Sequence, residues 1–350
     1  MVSCLMRRRL NRKWQGLARV AVVVLALGAT LPASAQQYPK TELRFGHFAP
    51  ATTAHSQVDQ WFADEVAKRS GGQVTITVFW AGAVGKPAEL LNLVGRGAVD
   101  IAAVPASYFP AQLPLLAAPS ALPLAMRSRQ KAQRIVYDLW ESTPAMQNEA
   151  KQNNVWPLLF HTLNTYHLLC GKPVRTLADL KGKKIRSQGE YIPKMLAAVG
   201  AVPVNVLPGE FYESLQRGSV DCMVLPWDLM VAFKLHEVAK FGSTINLGAL
   251  ISNPQWYNLK KWEQLPANVR DLLTQVAKDA LAVDLAKAEE SERNAYSVMK
   301  AAGVELIEFP DQAKFEALMP DFINEWVGAM QKLGKGPDAE AMAKRWKALR

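Results

Sequence analysis

Residues 56–80, SQVDQWFADEVAKRSGGQVTITVFW, contain a change of period that decides the fold class. Val58, Trp61, Phe62 and Val66 recur at helical spacing, so this segment reads as a helix with one apolar face. Gly71 and Gly72 end it, since glycine accepts the left-handed backbone that closes a helix. QVTITVFW (73–80) then alternates, the pattern of a strand. Upstream, ELRFGHF (42–48) alternates into a small-residue turn; downstream, PAELLNLVGRG (87–97) reads as a helix and AVDIAAVPA (98–106) as a short buried strand. The order β-α-β-α-β predicts an α/β layer with a largely parallel sheet.

The same grammar returns in the second half. WPLLFHTLN (156–164), YHLLCG (166–171), KKIRSQ (183–188), AVPVNVLP (201–208) and SVDCMVLPW (219–227) read as strands. YIPKMLAAVG (191–200), EFYESLQRG (210–218) and DLMVAFKLHEVAKF (228–241) read as helices. Residues 265–303 then run for more than about thirty residues without a turn signal. At about 1.5 Å per residue, such a helix outspans one small domain and is expected to lie across both halves.

The N-terminus is read separately. MRRRLNRKWQ (6–15) is cationic, VAVVVLALGA (20–29) apolar, and ASA (33–35) a small-residue cleavage site, which together predict a secretory signal peptide over 1–35. The apolar run is shorter than the roughly 20 residues that span a bilayer. Export to the periplasm is therefore expected. Taking the six cations of the leader from the chain's 41, against 31 acids, lowers the net charge from +10 to +4. No clustered cations with interleaved aromatics remain, so no nucleic-acid partner is expected. The mature length exceeds what one core usually organises. The expected division places 38–163 with 251–290 in one lobe, and 164–250 with 291–350 in the other.

Cys170 and Cys222 meet an oxidising compartment, where a bridge or two separate buried thiols are both open. No CxxC, HExxH, Walker loop, G-x-S-x-G or glycine-rich dinucleotide turn occurs, so neither a metal nor a cofactor is expected. Open α/β sheets bind ligands beyond the carboxyl ends of their strands. Those ends are GHFAP (46–50), VPASYF (104–109), IRSQG (185–189) and VLPWD (224–228). Arg186 stands out: its planar fork can grip a carboxylate through two parallel charge-assisted bonds, whereas neighbouring lysines are point charges on flexible stems. From the residues alone, an arginine in the tract LKGKKIRSQG (180–189) is more usually one more solvated charge. Phe48, Tyr166, Tyr212 and Trp227 are candidates for cleft walls, with ordinary core packing the alternative for each. His47, His55, His161 and His167 read as hydrogen-bonded structural histidines.

LRFGH (43–47), AKRSGGQVTITVFWAGAVGKPAELLNLVGRGAVDIA (67–102), TLADLKGKKIRSQG (176–189), LPGEFYESLQRGSVDCMVLPW (207–227) and FKLHEVAKF (233–241) together resemble the DctP-like substrate-binding proteins of tripartite ATP-independent periplasmic (TRAP) transporters. The likeness runs in order from about Tyr38 to about Met342. It implies a two-lobed periplasmic binding protein, type II-like, with a long helix spanning both lobes. Such a receptor is not an enzyme, closes on a small organic anion, and delivers it to the integral membrane permease subunits, as a monomer or homodimer.

The family's carboxylate-clamping arginine, which follows DLKG at a strand end, falls on Arg186. Leu225 stands where many relatives carry a polar residue, and Tyr166 where receptors for polyhydroxylated acids often carry a second arginine. These departures imply a monocarboxylate with an apolar or aromatic part: a 2-oxo, 2-hydroxy or aromatic acid. Phe48, Tyr166, Leu225 and Trp227 would wall the cleft, and Ser107, Gln188 and Tyr212 would add polar contacts. The rival readings are the binding component of an ATP-driven importer, and a periplasmic enzyme using Asp228, Glu210 or His47.

Overall fold

The computed structural model describes residues 37–350; the predicted signal peptide lies outside them. Among the described residues no helix is long and apolar enough to cross a membrane. The strands are β1 (Thr41–His47), β2 (Val74–Phe79), β3 (Ile101–Ala103), β4 (Val155–Thr162), β5 (His167–Cys170), β6 (Lys184–Ser187), β7 (Val202–Asn205), β8 (Cys222–Leu225), β9 (Phe241–Ser243), β10 (Ile251–Asn258) and β11 (Glu305–Ile307). They form two sheets, ordered β2-β1-β3-β10-β4 and β11-β9-β5-β8-β6-β7.

The opening stretch folds as read. Helix Ala54–Arg69 is capped by Thr53, whose hydroxyl accepts from the Ser56 N–H, and it buries Val58, Phe62 and Val66. Gly71 and Gly72 take positive φ and lead into β2, which pairs parallel with β1. The sheets depart from the expected parallel pattern by one strand each. β10 is antiparallel to both β3 and β4, and β5 antiparallel to both β8 and β9. The reason is topological: these are the strands by which the chain enters one sheet directly from the other, so no crossover helix turns it round.

The two crossing segments run side by side. Tyr166 N–H donates to Gly248 O (2.9 Å), Leu247 N–H to Tyr166 O (3.0 Å), and Leu163 N–H to Leu250 O (3.1 Å). Helix Ala267–Ala301 is the third link, 35 residues or roughly 52 Å long. Its first turns bury Val269, Leu272, Leu273 and Val276 against Phe45, Phe62, Val66 and Ile101. Further along, Asp284 meets Thr162, the Ala288 carbonyl accepts from Asn164, and Ser291 donates to Asp228 in the second half.

The C-terminal helices, expected with the second lobe, bridge both halves. The Trp326 indole donates to Pro114 O and Arg345 pairs with Asp138 in the first, while Phe322 stacks edge-on with Tyr191 in the second. Cys170 and Cys222, directly opposed on β5 and β8, form a disulfide, which settles the alternative left open by the sequence.

Candidate functional site

Between the sheets lies a cavity of about 30 Å³ walled by Phe48, His55, Pro105, Tyr108, Leu163, Tyr166, Arg186, Gln188, Pro208, Phe211, Leu225, Leu229, Phe233 and Ile251. It sits where strand polarity predicts. Phe48 follows β1, Pro105 and Tyr108 follow β3, Arg186 and Gln188 end β6, and Leu225 ends β8, all at carboxyl termini of parallel strands. Leu163 and Tyr166 come from one crossing segment, and Ile251 opens β10 at the end of the other.

Arg186 is not one more solvated charge: it is 1% exposed. Its Nε–H donates to Val206 O (3.1 Å), one Nη1–H to Val224 O (3.2 Å), and one Nη2–H to Gln188 Oε1 (2.6 Å). Phe211 lies under the guanidinium, 4.5 Å from carbon to ring centroid. Carbonyls from two flanking segments and an aromatic face thus fix the fork's plane. Burial lowers the pKa of Arg186 and raises those of the neighbouring Tyr108 and Tyr166, so both phenols stay neutral. Among the described residues, Arg186 forms no ion pair with a carboxylate. A buried charge is normally paired, because desolvation costs several kcal/mol.

Behind the cavity, on the first-sheet side, buried polar groups form a network. His161 lies between Asp59 (2.8 Å) and Asp284 (2.6 Å), and His47 reaches the other oxygen of Asp59 at 3.0 Å. The Gln255 amide also donates to Asp59. Burial alone would push the His161 imidazole down, but the two carboxylates raise it to about 10, so it stays charged. Burial keeps His47 and His55 neutral. His55 joins this network to the cavity wall, stacking on Phe48 with ring centroids 5.7 Å apart and bonding Thr53. Its charges are spoken for internally.

Of the residues singled out from the sequence, Arg186, Gln188, Phe48, Tyr166 and Leu225 come together on the cavity. Trp227 does not reach it: fully buried, it stacks on His167 (4.5 Å, 8°) over Gly242. Tyr212 points outward, its hydroxyl reaching Glu237 at 3.3 Å, while its neighbour Phe211 faces the guanidinium. Ser107 packs at the seam beside Gly189, outside the cavity lining. Asp228 is buried against Ser291, and Glu210 lies on the surface. Tyr108, at the strand end VPASYF, also lines the cavity, as does His55, which the sequence marked only as a structural histidine; Phe211 was missed. Phe211 was readable, since Phe211 and Leu215 form an i, i+4 buried pair that leaves Tyr212 on the other face.

Residues 45–327 match the model of the bacterial extracellular solute-binding proteins, family 7, DctP. The chain belongs to this family. A solute-binding protein of Albidiferax ferrireducens is 24% identical over 315 residues, covering 87% of this chain and 89% of the relative. One from Roseobacter denitrificans is 25% identical over 319 residues, covering 90% and 94%. Solved structures agree in fold. A TRAP periplasmic solute-binding protein from Desulfovibrio salexigens with bound orotic acid has a TM-score of 0.79 at 22% identity, over 89% of this chain and 100% of that one. A Bordetella pertussis receptor binding pyroglutamic acid has a TM-score of 0.77 at 22% identity, over 88% and 99%. One from Xanthobacter autotrophicus with bound β-D-galacturonate has a TM-score of 0.77 at 22% identity, over 88% and 100%. DctP proteins are two-lobed solute receptors of the periplasm, not enzymes; they bind small organic anions and work with membrane permeases.

Proposed function

We propose that this DctP receptor captures a monocarboxylate with an apolar or aromatic body, a 2-oxo, 2-hydroxy or aromatic acid, with Arg186 gripping the carboxylate. The observation that carries the reading is a cation buried to 1% exposure without an acid partner among the described residues, at the floor of an interlobe cavity. The opposing walls favour an apolar body: Phe48, Leu163, Leu225, Leu229, Phe233 and Ile251 offer no partner to sugar hydroxyls, each of which would be desolvated at a cost. Orotate and pyroglutamate, held by the relatives from Desulfovibrio salexigens and Bordetella pertussis, each carry one carboxylate on a compact ring, which supports the monocarboxylate part of the reading; their rings bear amide groups, so the apolar body rests on the walls alone.

A cavity of about 30 Å³ holds about two waters rather than an organic acid, so the lobes must part to admit one. Closure then rewards a ligand that touches both halves. A thermal-shift screen tests the class, since a ligand at a hundredfold excess over Kd stabilises by about 2.7 kcal/mol. Expected hits are 3-phenyllactate and 4-methyl-2-oxopentanoate, with galacturonate silent; the reverse ranking would refute the apolar assignment. Arg186→Lys should preserve the fold yet weaken binding by ten- to a hundredfold, because a single ammonium replaces a bidentate fork at about 1.5–3 kcal/mol per charge-assisted bond. Calorimetry checks it, and unchanged affinity would refute the grip.

A further inference from the structure

The guanidinium fork is not bare. Gln188 lies two residues beyond Arg186, on the same side of the extended chain, and is 7% exposed. Its amide oxygen stands 2.6 Å from Arg186 Nη2. The Tyr108 hydroxyl, from the turn after β3 in the other sheet, reaches that same oxygen at 3.5 Å. One neutral oxygen therefore makes with the fork the contact that a carboxylate oxygen would make, and joins the fork to the opposite half. Two further hydrogen bonds of Arg186 go to the main-chain carbonyls of Val206 and Val224, and the Tyr108 hydroxyl also lies against the guanidinium. Of these partners, Gln188 offers the side-chain carbonyl oxygen that most resembles a carboxylate's, and a side-chain rotation is enough to withdraw it.

We propose that Gln188 occupies the carboxylate seat on the Arg186 fork, and that an organic acid binds by exchanging its charged oxygen for this neutral one. The inference rests on the reading of Arg186 as the anion grip. It assigns Gln188 a gatekeeping role rather than that of one more ligand contact. A charge-assisted bond is roughly twice as strong as a neutral one, so an anion wins the exchange and a carboxamide or ester does not. Selection for ionised acids over their neutral analogues is thereby built into the floor of the cavity. The exchange involves no covalent step.

Gln188→Glu converts the neutral occupant into a permanent anionic one, which gives a test that needs no ligand. In the ligand-free protein at pH 7.5, Gln188→Glu should raise the melting temperature. In an Arg186→Met background the same change should lower it, because the carboxylate is then buried alone. Equal effects in both backgrounds would overturn the inference. With 3-phenyllactate as the calorimetric probe, Gln188→Glu should lose at least a hundredfold in affinity, while Gln188→Ala binds at least as tightly as the parent. A Gln188→Ala variant weakened tenfold would also overturn it, making Gln188 an ordinary ligand contact. Failure of the underlying reading looks different: Arg186→Met would then bind 3-phenyllactate undiminished, whatever the ligand-free cycle gave.

Discussion

At the scale of single residues, the same change of environment, from water to a sealed interior, acts oppositely on two kinds of group. Arg186 keeps its charge because a guanidinium does not lose its proton at accessible pH, and so it needs an anion. His167 gives its charge up. It stacks flat on Trp227, its Nδ1 is 2.9 Å from Ile245 O, and burial lowers it to about 4. A folded-state value below the unfolded one near 6.5 means the neutral ring's contribution is complete above about pH 6.5 and is lost as pH falls toward 4. That contribution is on the order of 3 kcal/mol. His167→Gln should therefore lose less stability between pH 7.5 and 4.5 than the parent in urea unfolding. Some acid sensitivity will remain, because His47 and His55 shift in the same direction. An unchanged difference would show that His167 does not titrate in this range. His167 also pairs with Leu225 across β5 and β8, so its packing backs the cavity wall.

At the scale of elements, the disulfide ties β5 to β8, and β8 pairs with the strand carrying Arg186 through Cys222 and Ile185. It closes a loop with a sequence separation of 52. Replacing both cysteines by serine should cost roughly 2–4 kcal/mol, read as a lower melting temperature that reductant no longer affects. A variant as stable as the parent would contradict this.

Elements also mark where the sequence was legible. Segments with a clean period folded as read: β1, β2 and the helix between them, and β6 with its arginine. β10 was not legible. ISNPQWYN interrupts its apolar residues with Asn253, Pro254 and Gln255 and is assigned no element from the sequence, yet it lies inside the first sheet between β3 and β4. Pro254 is tolerated because the register with β4 shifts on either side of it. Gln255 is there to donate to Asp59, and a partner 196 residues away leaves no local pattern. The helix predicted over 228–241 stops early for a different reason: Lys234 takes a left-handed φ of +59 and breaks it. The site divides the same way. Arg186 was found because a resemblance lent it a role and Tyr108 because it follows a strand end, whereas His55 meets the cavity only through the packing of distant segments.

At the scale of the whole molecule, the lobe parting proposed above would have to pass through the paired crossing segments and the long helix. Gly248 sits in one crossing with φ +90, and a Cβ there would lie 2.7 Å from Leu124 N and 2.9 Å from Leu124 Cα. Those are backbone atoms that cannot step aside, and alanine at such a φ already costs about 1–3 kcal/mol. Gly303, at φ +76 with nothing within 4 Å of where a Cβ would stand, carries the conformational cost alone. Gly248→Ala should thus lower the melting temperature clearly more than Gly303→Ala, and equal losses would mean the crossing segment accommodates the methyl freely.

The grip itself is tested most directly by a crystal structure of the receptor with 3-phenyllactate bound. Both carboxylate oxygens should lie within about 3 Å of the Arg186 guanidinium nitrogens, with the phenyl ring against Phe48 and Leu225 and the Gln188 amide withdrawn from Nη2. A bound acid whose carboxylate lies away from Arg186, with the Gln188 contact intact, would contradict it.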